Sequence, residues 1–191
     1  MKVKAFLITA FLSASVSLFS QENETKGSLT YSNITEFGFF TTSPQGVAFE
    51  ATTTQGFSID KTHHLGLGIG IGFNNYKTTT IIHYNYSSSD KYTIFYMPVF
   101  VNYRFYFKPH KTFSPHLNIA VGGTMVEEGA GIYSAITMGF KAGKFSFSSG
   151  CSFMAFEGEE KTTYSAIYPY SKTVKKWIYP FGITLKWGFA F

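Results

Sequence analysis

The sequence is poor in cysteine and in charged residues. Its one cysteine, Cys151, excludes an internal disulfide and any metal site built from four thiolates. Only 14% of the residues are charged, far below the roughly 25% found in soluble domains. The formal net charge of +5 falls to about +3 without Lys2 and Lys4 (5 − 2), a positive bias too weak to indicate nucleic acid as a partner.

Long apolar runs are also missing. The first apolar stretch, residues 5–19, follows Lys2 and Lys4 and ends in small residues up to Ser20. This arrangement predicts a secretory signal peptide over residues 1–20, because the run is too short for a membrane helix and has the wrong flanks. No cysteine follows it closely, which excludes a lipoprotein anchor. No other segment approaches the roughly 18 apolar residues of a membrane helix, so we expect none.

What the chain does contain is aromatic residues in an alternating pattern. It has 22 Phe and 13 Tyr, yet its mean hydropathy is only +0.02. From Trp177 to Phe191 every odd position is large and apolar, and in the segment LGLGIGIGF bulky residues alternate with glycine. Side chains two positions apart share one face of a strand. A face made of glycine fits the crowded inside of a narrow barrel.

The alternation marks eight segments, which begin near Leu29, Val47, Leu65, Phe95, Leu117, Ile132, Phe145 and Trp177. Each is about long enough to cross a bilayer at a tilt, which takes roughly 9–11 residues. In hydrocarbon every backbone polar group needs a partner in the protein, so strands span a membrane only as a closed barrel. The sequence therefore predicts an all-β protein: an eight-stranded antiparallel up-and-down transmembrane β-barrel over residues 27–191, after the signal peptide.

The predicted connections alternate between short polar turns and long loops. Short turns follow the second, fourth and sixth strands, whereas long segments follow the third and the seventh. Both long segments keep alternating, which predicts protruding hairpins that turn at residues 87–90 and 169–172. Their exposed edges and tyrosines would bind a partner by strand addition or stacking, or they are surface loops that merely tolerate such a sequence. The tyrosines are Tyr84, Tyr86, Tyr164, Tyr168 and Tyr170.

These features resemble the small eight-stranded outer-membrane barrels of bacteria, the OmpA/OmpX type, over residues 27–191. The segments LGLGIGIGF, MPVFVNYRFYF and SPHLNIAVGG further resemble barrel proteins of Bacteroidota. The resemblance implies an outer-membrane location with both termini in the periplasm. It also implies that the aromatic end of the last strand is the signal read by the barrel-assembly machinery; its residues are Trp187, Phe189 and Phe191. The group shares no catalytic residues, so no activity is implied.

Few charged residues fall at inward positions, namely Glu36, Glu50, Arg104 and Lys186. If the first hairpin turns near Ser43, Glu36 and Glu50 lie roughly opposite each other on neighbouring strands. Two close carboxylates would share a proton or bind a cation. Alternatively, the four residues form an interior network of salt bridges. Because side chains fill the inside of an eight-stranded barrel, we expect no diffusive pore.

The histidines offer one alternative function. Eight-stranded barrels include lipid A deacylases, which use a histidine, a serine and a carboxylate near the outer leaflet. His83 lies near the outer end of the third predicted strand, with Ser87 and Asp90 after it, but Asn85 stands where a serine would be needed. A solvated loop histidine is the other interpretation. The remaining histidines occupy or flank predicted turns without metal-ligand spacing; they are His63, His64, His110 and His116.

The sequence thus favours an integral outer-membrane barrel with a structural or surface-interaction role through its hairpins, and not an enzyme. The alternatives are a lipid A-modifying hydrolase and an accessory subunit of an outer-membrane complex. The expected partners are lipopolysaccharide and membrane lipid, the assembly machinery and an extracellular protein, with no cofactor. Cys151 shares the predicted lipid face with Phe153 and behaves there as a small apolar residue.

Overall fold

The computed structural model describes residues 29–42, 46–81, 87–109, 111–127, 129–164 and 170–191. These residues form nine strands: β1 (Leu29–Thr42), β2 (Gly46–Ile59), β3 (His63–Ile81), β4 (Ser87–Tyr106), β5 (Phe113–Val126), β6 (Gly129–Ala142), β7 (Phe145–Tyr164), β8 (Tyr170–Ile178) and β9 (Phe181–Ala190). Within these ranges, no helix has the length and apolar character needed to cross a membrane.

The strands close into a barrel. From β1 to β7 each strand pairs antiparallel with the next, and β9 pairs with β7 on one side and with β1 on the other. The β1–β9 pairing runs from Ile34↔Ala190 to Phe40↔Thr184. Backbone hydrogen bonds of 2.9 and 2.8 Å between Asn33 and Phe191 extend it. The predicted closed barrel of eight antiparallel strands is confirmed, with β8 and β9 together forming the eighth.

This eighth strand is divided, which differs from the continuous strand predicted from Trp177 onward. Within the described residues β8 pairs only with β7, whereas β9 pairs with both β7 and β1. The break falls at Tyr179 and Pro180. Proline has no N–H to donate to a ladder, and the Pro180 carbonyl still accepts a bond from the Met154 N–H at 2.9 Å. The prediction of an unbroken strand was wrong at these two residues.

Alternate side chains of the barrel strands point outward and inward. The outward ones are mostly large and apolar, and many are more than half exposed, such as Leu67 at 71% and Ile183 at 65%. The inward ones are buried, and the apolar ones among them form a single cluster of Phe40, Ala48, Tyr96, Phe100, Ala120, Tyr133, Ala135, Met154 and Phe156. Side chains therefore fill the barrel, as expected for eight strands.

The glycines of β3 make room for aromatic rings from β4. Gly68 pairs across the ladder with Phe100, and Gly72 pairs with Tyr96. A Cβ atom at Gly68 would lie 2.2 Å from the Phe100 ring, and one at Gly72 would lie 2.2 Å from the Tyr96 ring. The bare inner face of β3 is therefore what allows the two buried rings to lie inside so narrow a barrel.

One part of the outer face is polar. On β1 and β2 the Tyr31 hydroxyl donates to Gln55 Oε1 at 3.1 Å, and the Thr53 hydroxyl donates to Asn33 Oδ1 at 3.1 Å. The hydroxyls of Thr35 and Thr53 are 3.3 Å apart. Because these groups bond to one another, they cost less on an apolar face than unpaired polar groups would.

The barrel has two unlike ends. At the first, here called the terminal end, lie Leu29, Phe191 and the short connections 60–62, 107–112 and 143–144. The first of these is tight: Asp60 at φ 51° and Lys61 at φ 57° have the left-handed geometry of the central residues of a type I′ turn, and the Thr62 N–H donates to the Ile59 carbonyl at 3.0 Å. At the opposite end, here called the hairpin end, the β3–β4 and β7–β8 pairs project furthest. The two long hairpins thus lie at one end of the barrel, opposite the connections 60–62, 107–112 and 143–144, as the sequence predicted.

The positions of several turns differ from the predictions. The β3–β4 ladder continues to Ile81↔Ser87 and the β7–β8 ladder to Tyr164↔Tyr170. Residues 87–90 therefore lie in β4 and residues 170–172 lie in β8, not in turns. Residues 63 and 64 likewise belong to β3, and residue 116 to β5. The serine-rich segment 87–90 had predicted a turn. It pairs, however, with the β-branched threonines at residues 78–80, and β-branched residues favour strand.

We expect alanine at Gly122 to destabilise the barrel, whereas alanine at Gly123 should not. A Cβ at Gly122 would lie 2.1 Å from the backbone oxygen of Val99, which cannot rotate away, whereas at Gly123 the nearest atom is the Gly131 oxygen at 3.5 Å. Gly122→Ala should lower the free energy of unfolding by about 1–3 kcal/mol. Gly123→Ala should leave it unchanged or raise it by up to about 1 kcal/mol.

Urea titration of the refolded barrel, followed by tryptophan fluorescence, measures both changes. Equal unfolding midpoints for the two variants would contradict the crowding inferred at Gly122.

Candidate functional site

Lys186 and Glu50 form an ion pair inside the barrel. The Lys186 Nζ and Glu50 Oε1 atoms are 2.5 Å apart, and the side chains are 3% and 1% exposed. Gly38 of β1 lies between them, because it pairs with Glu50 of β2 on one side and with Lys186 of β9 on the other. A Cβ at Gly38 would lie 3.0 Å from Lys186 Cγ. The glycine therefore leaves the space in which the two charged side chains meet.

Two tyrosine hydroxyls complete this pair. The Tyr133 hydroxyl donates to the Glu50 carboxylate at 3.2 Å, and the Tyr96 hydroxyl donates to it at 3.3 Å. The Lys186 ammonium donates to the Tyr133 hydroxyl at 3.2 Å and lies 5.9 Å from the centre of its ring. A buried charge pair is tolerated only when its remaining hydrogen-bonding capacity is satisfied. Here the Lys186 ammonium and the hydroxyls of Tyr96 and Tyr133 satisfy the Glu50 carboxylate.

A second ion pair joins Arg104 of β4 to Glu36 of β1. The Arg104 Nη2 and Glu36 Oε1 atoms are 2.6 Å apart, and both side chains are almost completely buried. Arg104 Nε also donates to Asn118 Oδ1 at 3.4 Å, and this oxygen accepts a bond from Asn102 Nδ2 at 2.7 Å. The Asn118 amide donates in turn to Thr137 at 3.3 Å. A line of polar side chains across β4, β5 and β6 therefore orients the guanidinium.

Each interior carboxylate thus has its own cation. The β1–β2 register places Glu36 opposite Thr52 and Glu50 opposite Gly38, so Glu36 and Glu50 are not opposite each other. That expectation was wrong, because the predicted position of the first turn was too approximate to fix a register. The two carboxylates therefore do not share a proton or a cation. Each forms its own salt bridge, as in the alternative interpretation of the sequence.

Two buried histidines lie closer to the terminal end. His64 pairs across the ladder with Arg104, and His116 pairs with Tyr106. Both histidines are fully buried, and the rings of His116 and Tyr106 are 5.6 Å apart. Their inward position was not predicted from the sequence. The available signal was the unbroken alternation, since even-numbered residues point inward from His64 to Asn74 along β3 and from Ser114 to Thr124 along β5.

The predicted assembly residues lie on the outer face at the end of the barrel. Trp187 and Phe191 are each 47% exposed. The Phe189 ring packs against Phe145 with ring centres 4.9 Å apart, and the Lys144 ammonium lies 5.4 Å from the centre of the Phe191 ring. These contacts give the closing strand an aromatic edge. Its recognition by an assembly machinery stays a prediction.

Two of the predicted surface tyrosines, Tyr164 and Tyr170, form the last backbone pair of the β7–β8 ladder at the hairpin end. The other predicted residues of these hairpins lie outside the described residues; they are Tyr84, Tyr86, Tyr168 and the His83 of the hydrolase alternative. That alternative therefore stays untested.

Within the described part of the chain, no group of three or more His, Cys, Asp and Glu side chains is placed to hold a metal ion. No protein-family model matches the chain, and no curated protein matches it. The geometry of the barrel is therefore the basis for a functional proposal.

We expect the Lys186–Glu50 pair to show strong coupling in stability. Lys186→Met leaves the Glu50 carboxylate buried without its cation, which should lower the free energy of unfolding by about 3–5 kcal/mol. Adding Glu50→Gln removes the uncompensated charge, so the double variant should recover most of that loss.

Urea unfolding of the wild type, both single variants and the double variant gives the coupling energy. If the double variant loses as much stability as the two single variants together, the ion pair does not couple these residues.

Proposed function

We propose that this protein is an integral barrel of a bacterial outer membrane, with a structural or surface-interaction role carried by its projecting hairpins. The observation that carries the proposal is the outer face of the closed barrel, where large apolar side chains such as Leu67, Ile136 and Ile183 are 57–71% exposed. A soluble monomer rarely exposes so extensive an apolar surface. A bilayer would cover it, and the pairing of β1 with β9 closes the sheet from residue 34 to residue 40, so that the backbone polar groups along this seam have partners within the protein.

Exposed aromatic side chains near both ends support a membrane-spanning position. Outer-membrane barrels carry an aromatic girdle at each membrane interface, with an apolar band between them. Near the terminal end the exposed aromatic residues include Phe57, Phe107, Phe113, Phe145 and Trp187. Near the hairpin end they include Phe49, Phe73, Trp177 and Phe181.

The proposed orientation follows from the connections. Outer-membrane barrels have short periplasmic turns and longer extracellular loops, so the terminal end would lie in the periplasm and the hairpin end outside. The signal peptide proposed for residues 1–20 would export the chain. Membrane lipid and lipopolysaccharide would surround the barrel, and the assembly machinery would read the end formed by Trp187, Phe189 and Phe191.

The hairpins support a role in surface interaction. The β2–β3 ladder ends at Gly46↔Tyr76, whereas the β3–β4 ladder continues from Lys77↔Lys91 to Ile81↔Ser87. The β7–β8 ladder similarly continues from Glu157↔Trp177 to Tyr164↔Tyr170. Within the described residues, neither extension pairs with a third strand. Unpaired edges are templates for strand addition by a partner, and an extracellular protein is the partner that could reach them.

Cys151 provides a test of the membrane position. It is the one cysteine of the chain and lies exposed on the outer face, between Ile136 and Ile183 of the neighbouring strands. In barrels refolded into lipid vesicles, we expect it to react slowly with a charged, water-soluble maleimide and readily with an apolar one, because lipid would exclude the charged reagent.

The matched control is Lys61→Cys in a Cys151→Ser background, since Lys61 is exposed in a turn at the terminal end. In vesicles permeable to the reagent, this cysteine should react readily with the water-soluble maleimide. Equal reaction rates at the two positions would contradict the membrane-spanning proposal.

Site-specific cross-linking tests the proposed role of the hairpins. A photoreactive amino acid at residue 164, at the end of the β7–β8 ladder, should form adducts with protein in intact outer membranes, because a strand or loop of a partner would lie beside it. The same amino acid at residue 67 of β3 should form adducts with lipid. The absence of protein adducts at residue 164 and at residue 79 of the β3–β4 hairpin would contradict the interaction role.

A further inference from the structure

The outer face of the barrel carries one group of adjoining amide and hydroxyl side chains, here called the polar patch. Its members are Tyr31, Asn33 and Thr35 of β1 and Thr53 and Gln55 of β2. Along β2 the patch lies between the exposed rings of Phe49 and Phe57. These two rings belong to opposite aromatic girdles, so the patch lies within the apolar band of the outer face.

The other barrel strands carry no such group on their outer face. Between the girdles their described outward residues are apolar, aromatic or glycine, except for the single serines Ser134 on β6 and Ser149 on β7. A lone serine hydroxyl bonds readily to nearby backbone. An amide side chain has more hydrogen-bonding groups than its own strand can satisfy. The patch is therefore a local feature of β1 and β2, and not a property of the whole wall.

The hydrogen bonds within the patch leave both amide nitrogens unused. Gln55 Oε1 accepts from Tyr31 and Asn33 Oδ1 accepts from Thr53, but neither amide nitrogen bonds to any of the described residues. Each amide nitrogen carries two N–H groups. Lipid tails offer no acceptor for them, and polar groups without partners are costly in hydrocarbon. The patch thus presents donors that only another polar surface at this depth can satisfy.

The patch is also recessed between larger side chains. Asn33 and Thr53 point outward but are only 4% and 5% exposed, whereas Phe37 and Phe57 beside the patch are 41% and 52% exposed. Small residues let two backbones approach closely, which is why they are enriched at helix contacts inside membranes. The same steric argument applies to two strands, and Thr35 and Thr53 are small. The surface therefore has a polar centre with an apolar border.

We propose that the polar patch is the contact surface of a dimer of this protein within the membrane. Every copy inserts in the same orientation, so a twofold axis along the membrane normal brings the two patches together at the same depth. Because amide side chains contain both donors and acceptors, the patch can bond to its own copy, as a twofold contact requires. The rings of Phe37 and Phe57 would pack around the bonded groups and exclude lipid. Any other partner would need polar groups at this same depth.

This inference rests on the membrane-spanning position proposed above, because in water the amide groups would need no protein partner. The maleimide reaction of Cys151 tests that position separately in the same vesicles. Barrels in which Cys151 is protected but no dimer forms would contradict the dimer alone. Barrels in which Cys151 is not protected would contradict the membrane position itself.

Energy transfer between donor-labelled and acceptor-labelled barrels in lipid vesicles measures the association. The labels are attached at Lys61→Cys in the Cys151→Ser background, in a turn outside the patch. We expect transfer well above that of randomly distributed barrels when lipid is in large excess. Asn33→Leu combined with Gln55→Leu should lower the association constant by about tenfold or more, because both amide groups are lost.

Ser134→Ala combined with Ser149→Ala is the matched control, since it removes two polar side chains from the outer face outside the patch. This variant should associate as the unaltered barrel does. Heat-modifiable gel mobility shows that each variant is folded. A loss of association in the control equal to that in the amide variant would contradict the role of the patch.

Disulfide formation locates the contact on the barrel. In the Cys151→Ser background, Thr35→Cys should cross-link to residue 35 of the second copy on mild oxidation in vesicles. Val121→Cys should not cross-link, because Val121 is exposed on the outer face of β5, on the opposite side of the barrel from β1.

Three results would overturn the proposal. The first is energy transfer no greater than that of randomly distributed barrels. The second is equal cross-linking at residues 35 and 121, which would show random collision. The third is cross-linking of residue 35 to a different protein in intact outer membranes without any cross-linked dimer, which would assign the patch to another partner.

Discussion

The pairing of β1 with β9 is the contact on which the rest of the structure depends. It joins the two ends of the described chain through seven ladder pairs, Ile34↔Ala190 to Phe40↔Thr184, and the bonds between Asn33 and Phe191 lengthen it. Without it, two long strand edges would be open, and an open sheet could not enclose an interior. Once it forms, the number of strands fixes a narrow lumen. Every inward residue must then fit a volume that the closure has already set.

That small volume explains why glycine, aromatic rings and charges occur side by side in the interior. Gly68 and Gly72 leave space for the rings of Phe100 and Tyr96 because they have no side chain. Gly38 leaves space in the same way for the Lys186–Glu50 pair. In so confined a space a charge has no room for a full shell of water, so Arg104 and Lys186 each have a carboxylate, and the two pairs have asparagine and tyrosine partners. A change in the size or charge of one interior side chain would therefore require a matching change in its neighbours.

The period-two pattern was enough to predict the closed barrel, because bulky residues recur at every second position from Trp177 onward and glycine fills the other face of β3. It could not predict which charged residues meet. A change of two residues in the β1–β2 register separates Glu36 from Glu50, and alternation is the same for both registers. The break at Pro180 and the inward position of His64 also escaped it, since turn residues and strand residues overlap in composition at strand ends.

The break at Pro180 also makes the β7–β8 hairpin separable from the barrel. The pairs that close the barrel belong to β9, whereas β8 is bonded to β7 alone within the described residues. Insertions, deletions or exchanges beyond Phe156 on β7 and before Ile178 on β8 therefore leave the closure register unaltered. A foreign peptide could therefore be grafted into this hairpin, or its length changed, without rebuilding the barrel beneath it.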